Sequence, residues 1–181
     1  PSPEIIQQVG LAAQFASEKI GKNTDLQELS HHIIPEFCLK YQQSLLSDIQ
    51  LLRPLKIVLD GLHGSAGHCA KQVLQNLGCE VIALRCEANG HFPDHAPDPS
   101  HAAHLQQLQA TIIAEKADLG IALDGDGDRV VLLDEQAHII SPDRLISLFA
   151  QMCLQQHPHK EIVFDVKCSR MVADTVGQLD V

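Results

Sequence analysis

The spacing of apolar residues along the 181-residue chain changes at about residue 53. Before that point, apolar residues recur at steps of three or four in two segments, 3–20 and 25–52, and this spacing predicts helices. We expect Pro35 to divide the second segment, because proline lacks the N–H group that a helix interior uses. Helices are therefore predicted ahead of the first strand.

Beyond residue 53, short apolar runs alternate with helical stretches, which is typical of an α/β layer fold. The predicted strands are 55–60, 79–84, 118–123, 130–134 and 161–166. The predicted helices are 66–77, 101–116, 142–157 and 168–179. Ser100 and Ser141 precede two of these helices and are expected to cap them. The first four strands and the helices between them predict one α/β layer domain.

The order of these elements predicts three parts of unequal completeness. Residues 1–52 are interpreted as the helical tail of a preceding domain with its linker, 53–140 as a complete α/β domain, and 141–181 as the incomplete start of a further domain. The chain begins without Met and stops soon after a helical stretch. We therefore expect it to be an excised piece of a longer protein.

The charge of the chain argues against nucleic acid as its main partner. Its formal net charge is −10, and its basic residues form no cluster that could follow a phosphate backbone. The six cysteines include no C-x-x-C pair and are interpreted as reduced thiols. No apolar run reaches the roughly 18 residues of a membrane span, and the N-terminus lacks the pattern of a signal peptide. We expect a cytoplasmic protein without a membrane partner, while its oligomeric state stays open.

The segment LGIALDGDGDRVVLLD places three aspartates and an arginine in one short loop between two predicted strands. Two carboxylates 4 Å apart repel each other by roughly 4 kcal/mol at an effective dielectric of 20, so a positive charge is expected among them. Asp124, Asp126 and Asp128 alternate with glycines, which let the backbone bend around a hard divalent cation. We interpret this loop as a metal site, and the alternative is a solvated acidic turn.

Two other interpretations of this loop fit less well. An EF-hand needs glycine at its sixth position, where Arg129 stands, and it needs helices rather than strands at its flanks. A phosphatase with an aspartyl nucleophile would carry a small hydroxyl residue where Asp128 stands. Metal binding without covalent aspartate chemistry is the favoured hypothesis.

Arg129 indicates what else the loop binds. A guanidinium offers planar, bidentate donors to phosphoryl oxygens and, with a cation, spreads the charge of a phosphoryl group in transfer. A phosphate beside the metal ion is therefore expected. The alternative is that Arg129 neutralises its acidic neighbours.

Two further segments have a functional and a structural interpretation. GLHGSAG, residues 61–67, follows a strand and opens a helix, so its N–H groups could hold a phosphate, but we favour a structural turn. Four histidines near the second predicted strand could suggest zinc, but no cysteine is spaced to join them, and we favour histidines without a metal role. These histidines are His91, His95, His101 and His104.

The aspartate segment, with NGHFPDHAPDP before it and PDRL and FDVKCSR after it, resembles the phosphohexomutases. The likeness is strongest to the bacterial phosphomannomutase/phosphoglucomutase branch and runs from about residue 54 to about residue 172. It implies four domains around a cleft, with the aspartate loop in the second domain. That domain would be a three-layer α/β/α domain with a mixed, mainly parallel four-stranded sheet. It also implies an enzyme that interconverts hexose 1-phosphate and hexose 6-phosphate, of mannose or glucose, through a phosphoserine and a hexose 1,6-bisphosphate.

The resemblance also implies roles for individual residues. Mg²⁺ would be bound by Asp124, Asp126 and Asp128, with a phosphoserine of the first domain as the remaining protein ligand. Arg129 would face that phosphate. Lys167 would contact the hexose phosphate in the cleft and supply proton transfer or charge stabilisation. No cofactor other than Mg²⁺ is implied.

Three departures from the family pattern bear on activity. The chain has no serine loop of the TASHNP type, no sugar-selecting Gly-Glu-x-Ser-Gly-His loop and no C-terminal phosphate-binding domain, so by itself it is expected to be inactive. His63 stands where the family usually has asparagine. Two alternatives stay open: a stand-alone metal-binding or regulatory α/β module without catalysis, and a piece of a phosphoglucosamine mutase.

Overall fold

A computed structural model describes residues 34–47 and 49–179, which fall into two compact units that divide between Ser44 and Leu45. Helix α1 is Ile34–Ser47, and its residues 34–44 are the described part of the first unit. Pro35 is its second residue, a position where the missing N–H group has no helical partner to lose. The helix predicted over 3–20 and the part of the second helical segment before Ile34 lie outside the described residues.

The second unit alternates strands and helices, as the sequence predicts. Its strands are β1 (Lys56–Asp60), β2 (Glu80–Leu84), β3 (Leu119–Leu123), β4 (Val130–Leu133) and β5 (Ile139–Ile140). Its helices are α2 (Gly67–Asn76), α3 (Gln106–Glu115), α4 (Pro142–Gln156) and α5 (Arg170–Leu179), with a 3₁₀ turn at Ala102–Leu105. The Ser141 side chain accepts a hydrogen bond from the Arg144 N–H, so the predicted cap of α4 is confirmed.

The strands form one mixed sheet in the order β2–β1–β3–β4–β5. β1 pairs in parallel with β2 and β3, whereas β4 pairs antiparallel with β3 and β5. The predicted α/β class and mixed sheet are confirmed, but the sheet has five strands instead of four, and its pairings divide equally between parallel and antiparallel. Alternation cannot reveal β5, because it has two residues. A turn holds it in place, since Asp134 Oδ1 accepts hydrogen bonds from the N–H groups of Gln136 and His138.

The helices α2 and α3 cover the parallel part of the sheet. β1 lies between β2 and β3, so right-handed crossovers bring the two connecting helices to opposite faces. The main core lies between α3 and the sheet; its buried members are Val58, Leu105, Leu108, Ile112, Ala117, Ala122, Leu133 and Ala137. The carboxyl ends of β1, β2 and β3 therefore share one edge, where the loops that follow them meet.

Two predictions about local elements are wrong. Residues 161–166 form no strand in the described structure, and the side chains of Val163 and Val166 are 94% and 96% exposed. A strand needs a neighbour to satisfy its backbone groups, and none of the described strands pairs with this segment. Ser100 does not cap a helix; its N–H donates to Asp98 Oδ1, and a 3₁₀ turn precedes α3.

The helices α4 and α5 pack against each other after the sheet ends. Asp143 in the first turn of α4 accepts a hydrogen bond from the Ser169 N–H just before α5. Within the described residues, no helix has the length and apolar character needed to cross a membrane. The domain boundaries predicted from the sequence stay a prediction.

Gly177 in α5 offers a direct test of local helix energetics. A Cβ at Gly177 would meet no atom within 4 Å, so we expect Gly177→Ala to raise the free energy of unfolding by up to about 1 kcal/mol. Gly78 after α2 has equally open space but a φ of +86°, so Gly78→Ala is expected to lower it. Urea denaturation followed by far-ultraviolet circular dichroism compares the two variants. Equal effects of both substitutions would contradict this interpretation.

Candidate metal and phosphate site

Three loops meet at the carboxyl edge of the parallel strands. We call them the glycine loop (61–66, after β1), the proline loop (87–100, after β2) and the aspartate loop (124–129, between β3 and β4). The Ser65 N–H donates to the Gly125 carbonyl at 2.9 Å, and the Gly125 N–H donates to the Pro97 carbonyl at 3.2 Å. The aspartate loop is thus held by backbone hydrogen bonds from both of its neighbours.

Gly64 allows the glycine and aspartate loops to touch. A Cβ at this position would lie 2.7 Å from the carbonyl oxygens of both Asp124 and Gly125. Such distances are far below van der Waals contact, and backbone atoms cannot rotate away as a flexible side chain can. A larger residue at Gly64 would therefore push the two loops apart.

Asp124 is the structural centre of the aspartate loop. Its side chain is 2% exposed, and its Oδ1 accepts hydrogen bonds from the N–H groups of Gly127 and Arg129, each at 3.0 Å. Its Oδ2 accepts from Arg129 Nε at 2.7 Å. A carboxylate has about four acceptor positions, so these three bonds leave one position for a cation.

Asp126 and Asp128 are exposed and complete a group of three carboxylates. One side-chain oxygen from each of Asp124, Asp126 and Asp128 can be chosen so that all three lie within 4.8 Å of one another. Opposite oxygen ligands of one Mg²⁺ ion lie about 4 Å apart, and Mg²⁺ prefers oxygen donors with water or phosphate in the remaining positions. The chemistry of the three donors therefore suits a hard divalent cation.

The pKa values of two of these aspartates show how charge is distributed in the loop. The negative charge of Asp126, with Asp124 beside it, raises the pKa of Asp128 above its ordinary value. Burial by itself would raise the pKa of Asp124, but the backbone N–H and guanidinium of Arg129 hold that pKa below its ordinary value. Arg129 thus compensates the negative charge of the buried Asp124. At Asp128, repulsion from the neighbouring aspartates outweighs attraction to Arg129.

Arg129 is held on two sides and keeps donors to spare. Besides Asp124, it contacts Asp98 of the proline loop, whose Oδ1 lies 3.1 Å from Arg129 Nη1. A guanidinium has five N–H donors, so three stay available after these two bonds. The side chain of Arg129 is 57% exposed, and these donors can meet an anion from solution.

Lys167, the other predicted catalytic residue, lies in the segment between α4 and α5. Its side chain is 84% exposed and forms an ion pair with Asp165 at 3.5 Å. The structure brings Arg129 and the three loop aspartates together, and the recorded polar contacts of Lys167 in the described chain are with Asp165 instead. Its role stays a prediction.

Most backbone N–H groups of the glycine loop are used within the protein, which supports the structural turn favoured from the sequence. The backbone N–H groups of residues 61–65 all have acceptors within the protein, so none of these five is left for a phosphate. The acceptors are the carbonyls of Leu84, Arg85, Gly61 and Gly125 and the side chain of Asp60. His63 adopts a φ of 59° in this loop, a left-handed conformation in which both histidine and asparagine are enriched.

A buried ion pair beneath the proline loop was not foreseen from the sequence. Asp60, at the end of β1, is fully buried, and both its oxygens accept hydrogen bonds from Arg85, whose Nε lies 3.0 Å from Asp60 Oδ1. Arg85 Nη1 also donates to His95 Nε2 at 2.7 Å. The signal in the sequence is an aspartate directly after the three apolar residues 57–59 of β1.

His95 and His104 have a structural role. Their rings stack with centroids 4.0 Å apart and an interplanar angle of 7°. His104 Nδ1 donates to the Asp98 carbonyl at 2.6 Å, since a carbonyl only accepts. Among the described residues, the group that could hold a metal is the aspartate group and contains no histidine. The five cysteines that the structure describes are free thiols, as predicted.

Comparison with known proteins points to one family. A family model described as phosphoglucomutase/phosphomannomutase, alpha/beta/alpha domain II, matches residues 35–137. A phosphomannomutase/phosphoglucomutase of Pseudomonas aeruginosa is 47% identical over 131 residues, which are 72% of this chain and 28% of that protein. Its counterpart in Pseudomonas putida is 45% identical over 139 residues, or 77% of this chain and 30% of that protein.

A solved structure agrees with these sequence matches. The crystal structure of a phosphoglucomutase/phosphomannomutase family protein from Burkholderia thailandensis matches with a TM-score of 0.77 and 40% identity. The match covers 79% of this chain and 31% of that one. The chain thus spans about 30% of the length of the curated relatives that it matches.

Proposed function

The chain belongs to the phosphoglucomutase/phosphomannomutase family, and we propose that it is the central segment of a phosphohexomutase that interconverts hexose 1-phosphate and hexose 6-phosphate. Mannose and glucose phosphates are the proposed substrates. The chain contains the proposed metal loop but not the serine and sugar-selecting loops, so we expect the segment alone to be inactive. Because phosphorylated sugars are charged and do not cross lipid, a cytoplasmic location belongs to the same proposal.

The observation that carries this proposal is the pairing of a carboxylate group with an anchored arginine. Three aspartate oxygens within 4.8 Å of one another suit a divalent cation, and Arg129 beside them keeps three N–H donors for a phosphate. A metal site alone would not need a guanidinium fixed at its edge. Together the two features suit a phosphate that is bound next to a cation.

In the proposed site, Asp124, Asp126 and Asp128 would hold Mg²⁺. When bound, Mg²⁺ supplies Lewis acidity toward phosphoryl oxygens. Arg129 binds the same phosphate through its remaining donors and stabilises the charge that develops during transfer. Asp124 keeps the guanidinium in place through its hydrogen bond from Nε. Lys167 is proposed to contact the substrate and to assist proton transfer or charge stabilisation.

The proposed reaction transfers a phosphoryl group twice. A hydroxyl oxygen of the hexose phosphate bonds to the phosphorus of a phosphoserine supplied by another domain, while the bond from that phosphorus to the serine oxygen breaks. The hydroxyl proton passes to a base, and the serine oxygen takes up a proton. The resulting hexose 1,6-bisphosphate turns over and returns its other phosphate to the serine by the same exchange of bonds.

Asp126→Asn in the full-length enzyme tests the metal assignment. This substitution keeps the shape of the side chain but removes one anionic ligand, so we expect kcat/KM to fall by about 100-fold or more. Steady-state kinetics with mannose 1-phosphate, glucose 1-phosphate and glucosamine 1-phosphate measure this loss and the sugar preference. Unchanged turnover would remove the loop from the mechanism.

Glu135→Gln provides the matched control. Glu135 is an exposed acid at the position where a calcium loop would place its last ligand, and it also lies close to the aspartate loop in sequence. The proposed site does not use it, so we expect near-normal turnover. If the full-length protein binds divalent cations but turns over none of the three sugar phosphates, the alternative of a metal-binding module is favoured.

A further inference from the structure

We propose that Asp98 is the positioning residue for Arg129: it fixes the guanidinium so that the donors left free are directed at a bound phosphate. This inference rests on the proposed function, because it concerns how the same site is organised. Asp98 lies in the proline loop, 31 residues from Arg129 along the chain. It is not one of the three aspartates proposed to hold the metal.

The guanidinium of Arg129 has two anchors from two different loops. Arg129 Nε donates to Asp124 Oδ2 at 2.7 Å, and Nη1 donates to Asp98 Oδ1 at 3.1 Å. With the first anchor alone, the planar group could still swing about the Nε–H···O direction. The second anchor prevents this rotation while leaving one N–H of Nη1 and both N–H groups of Nη2 free.

Asp98 is itself held at three points. Its Oδ1 accepts the Ser100 N–H at 3.0 Å, its N–H donates to the Ala96 carbonyl at 2.8 Å, and its carbonyl accepts from His104 Nδ1 at 2.6 Å. The hydrogen bond from the Ser100 N–H is the main cause that lowers the pKa of Asp98, so the carboxylate keeps its charge at neutral pH. A charged acceptor with a fixed backbone is well suited to orient an arginine.

The histidine pair connects Asp98 to the end of the sheet. His104 stacks on His95, and His95 Nε2 accepts a hydrogen bond from Arg85, which is paired with the buried Asp60. Packed and hydrogen-bonded groups therefore connect Asp98 to the carboxyl end of β1. A site residue is oriented precisely only when its own neighbours hold it in place, and these contacts do so for Asp98.

Asp98 is not needed to join the proline loop to the aspartate loop. The proline and aspartate loops are already joined by the hydrogen bond between the Gly125 N–H and the Pro97 carbonyl. A fourth carboxylate beside three others adds repulsion at this edge. The contact with Arg129 offers a reason for the presence of Asp98, because the guanidinium is the cation between Asp98 and the three aspartates of the aspartate loop.

The first test measures the motion of the Arg129 side chain in the 181-residue chain by ¹⁵N relaxation of its Nε–H group. We expect an order parameter of about 0.85 in the wild type and below about 0.6 in Asp98→Ala. Asp98→Asn retains an acceptor oxygen and is expected to preserve most of the order. A rigid Arg129 in Asp98→Ala would overturn the inference.

Asp134→Ala is the matched control for this measurement. Like Asp98, Asp134 accepts backbone N–H groups through its side chain in a turn, but the donors are Gln136 and His138, and its recorded contacts do not include Arg129. If Asp134→Ala loosened Arg129 as much as Asp98→Ala, the effect would be a general loss of structure. The inference would then be wrong.

The second test uses kinetics of the full-length enzyme. Misplacement of a reacting group by about 1 Å can cost up to about 100-fold, so we expect Asp98→Ala to lower kcat by about 10- to 100-fold with KM changed less than about threefold. Asp98→Asn should recover part of kcat, and Asp134→Ala should change neither constant. An unchanged kcat in Asp98→Ala would overturn the inference. If the wild-type enzyme shows no mutase activity, the proposed function fails, and the relaxation measurement still decides the role of Asp98.

Discussion

Arg85→Ala is expected to lower the free energy of unfolding by about 3–5 kcal/mol, because it leaves a buried carboxylate without its counter-charge. Asp60 is fully buried, and the side chain of Arg85 is 9% exposed, so water cannot replace the lost contacts. The same substitution removes the hydrogen bond to His95. Since a domain has about 5–15 kcal/mol of stability in total, this loss is severe.

Urea denaturation followed by far-ultraviolet circular dichroism measures the effect. Arg53→Ala is the matched control, because it breaks an ion pair with Asp118 in which the side chains are 63% and 34% exposed. An exposed pair contributes about 1 kcal/mol or less, so the two variants should differ clearly. The double variant Asp60→Leu, Arg85→Met removes both charges and is expected to recover much of the loss. If Arg85→Ala and Arg53→Ala lowered the free energy of unfolding equally, the importance assigned to the buried pair of Asp60 and Arg85 would be contradicted.

Gly64→Ala is expected to lower the free energy of unfolding by about 3 kcal/mol and to weaken the cation binding proposed for the aspartate loop. The new Cβ would press on two carbonyl oxygens of that loop at 2.7 Å, and overpacking of this kind costs about 1–3 kcal/mol or more. Relief requires the loops to separate, which also breaks the hydrogen bond between Ser65 and Gly125. Denaturation and calorimetric titration with Mg²⁺ report the two effects separately.

Gly90→Ala distinguishes this close approach from the general cost of replacing a loop glycine. A Cβ at Gly90 would meet nothing within 4 Å, so we expect a change within about 0.5 kcal/mol. Both glycines lie in loops at the same edge of the sheet. If Gly64→Ala were as mild as Gly90→Ala, the glycine loop would not constrain the aspartate loop.

Local patterns predicted those parts of the fold that local physics determines. The cap of α4 follows from a serine before a proline, and the aspartate loop follows from charges adjacent in sequence. The strand predicted over 161–166 is wrong because a strand also needs a neighbour, which an apolar pattern does not supply. β5 lay below the length at which alternation carries information.

The support behind Arg129 could not be predicted for a different reason. Asp98 and Arg129 are 31 residues apart, and Asp60 and Arg85 are 25 residues apart, so no periodicity joins them. The stacking of His95 on His104 likewise depends on how an irregular loop folds back. Such contacts arise where several loops converge, and they are visible once the strand order is known.

The position of the aspartate loop within a hairpin has a consequence for the order of folding. Its ends are brought together by β3 and β4, which pair as antiparallel neighbours from Gly120 to Leu133, whereas the glycine loop contacts it across 60 residues of sequence. Loop-closure entropy grows with the logarithm of that separation, and long-range contacts slow folding. The aspartate loop can therefore form early in folding through the short-range pairing of β3 with β4. The glycine loop contacts it later, when the strands that are distant in sequence pair.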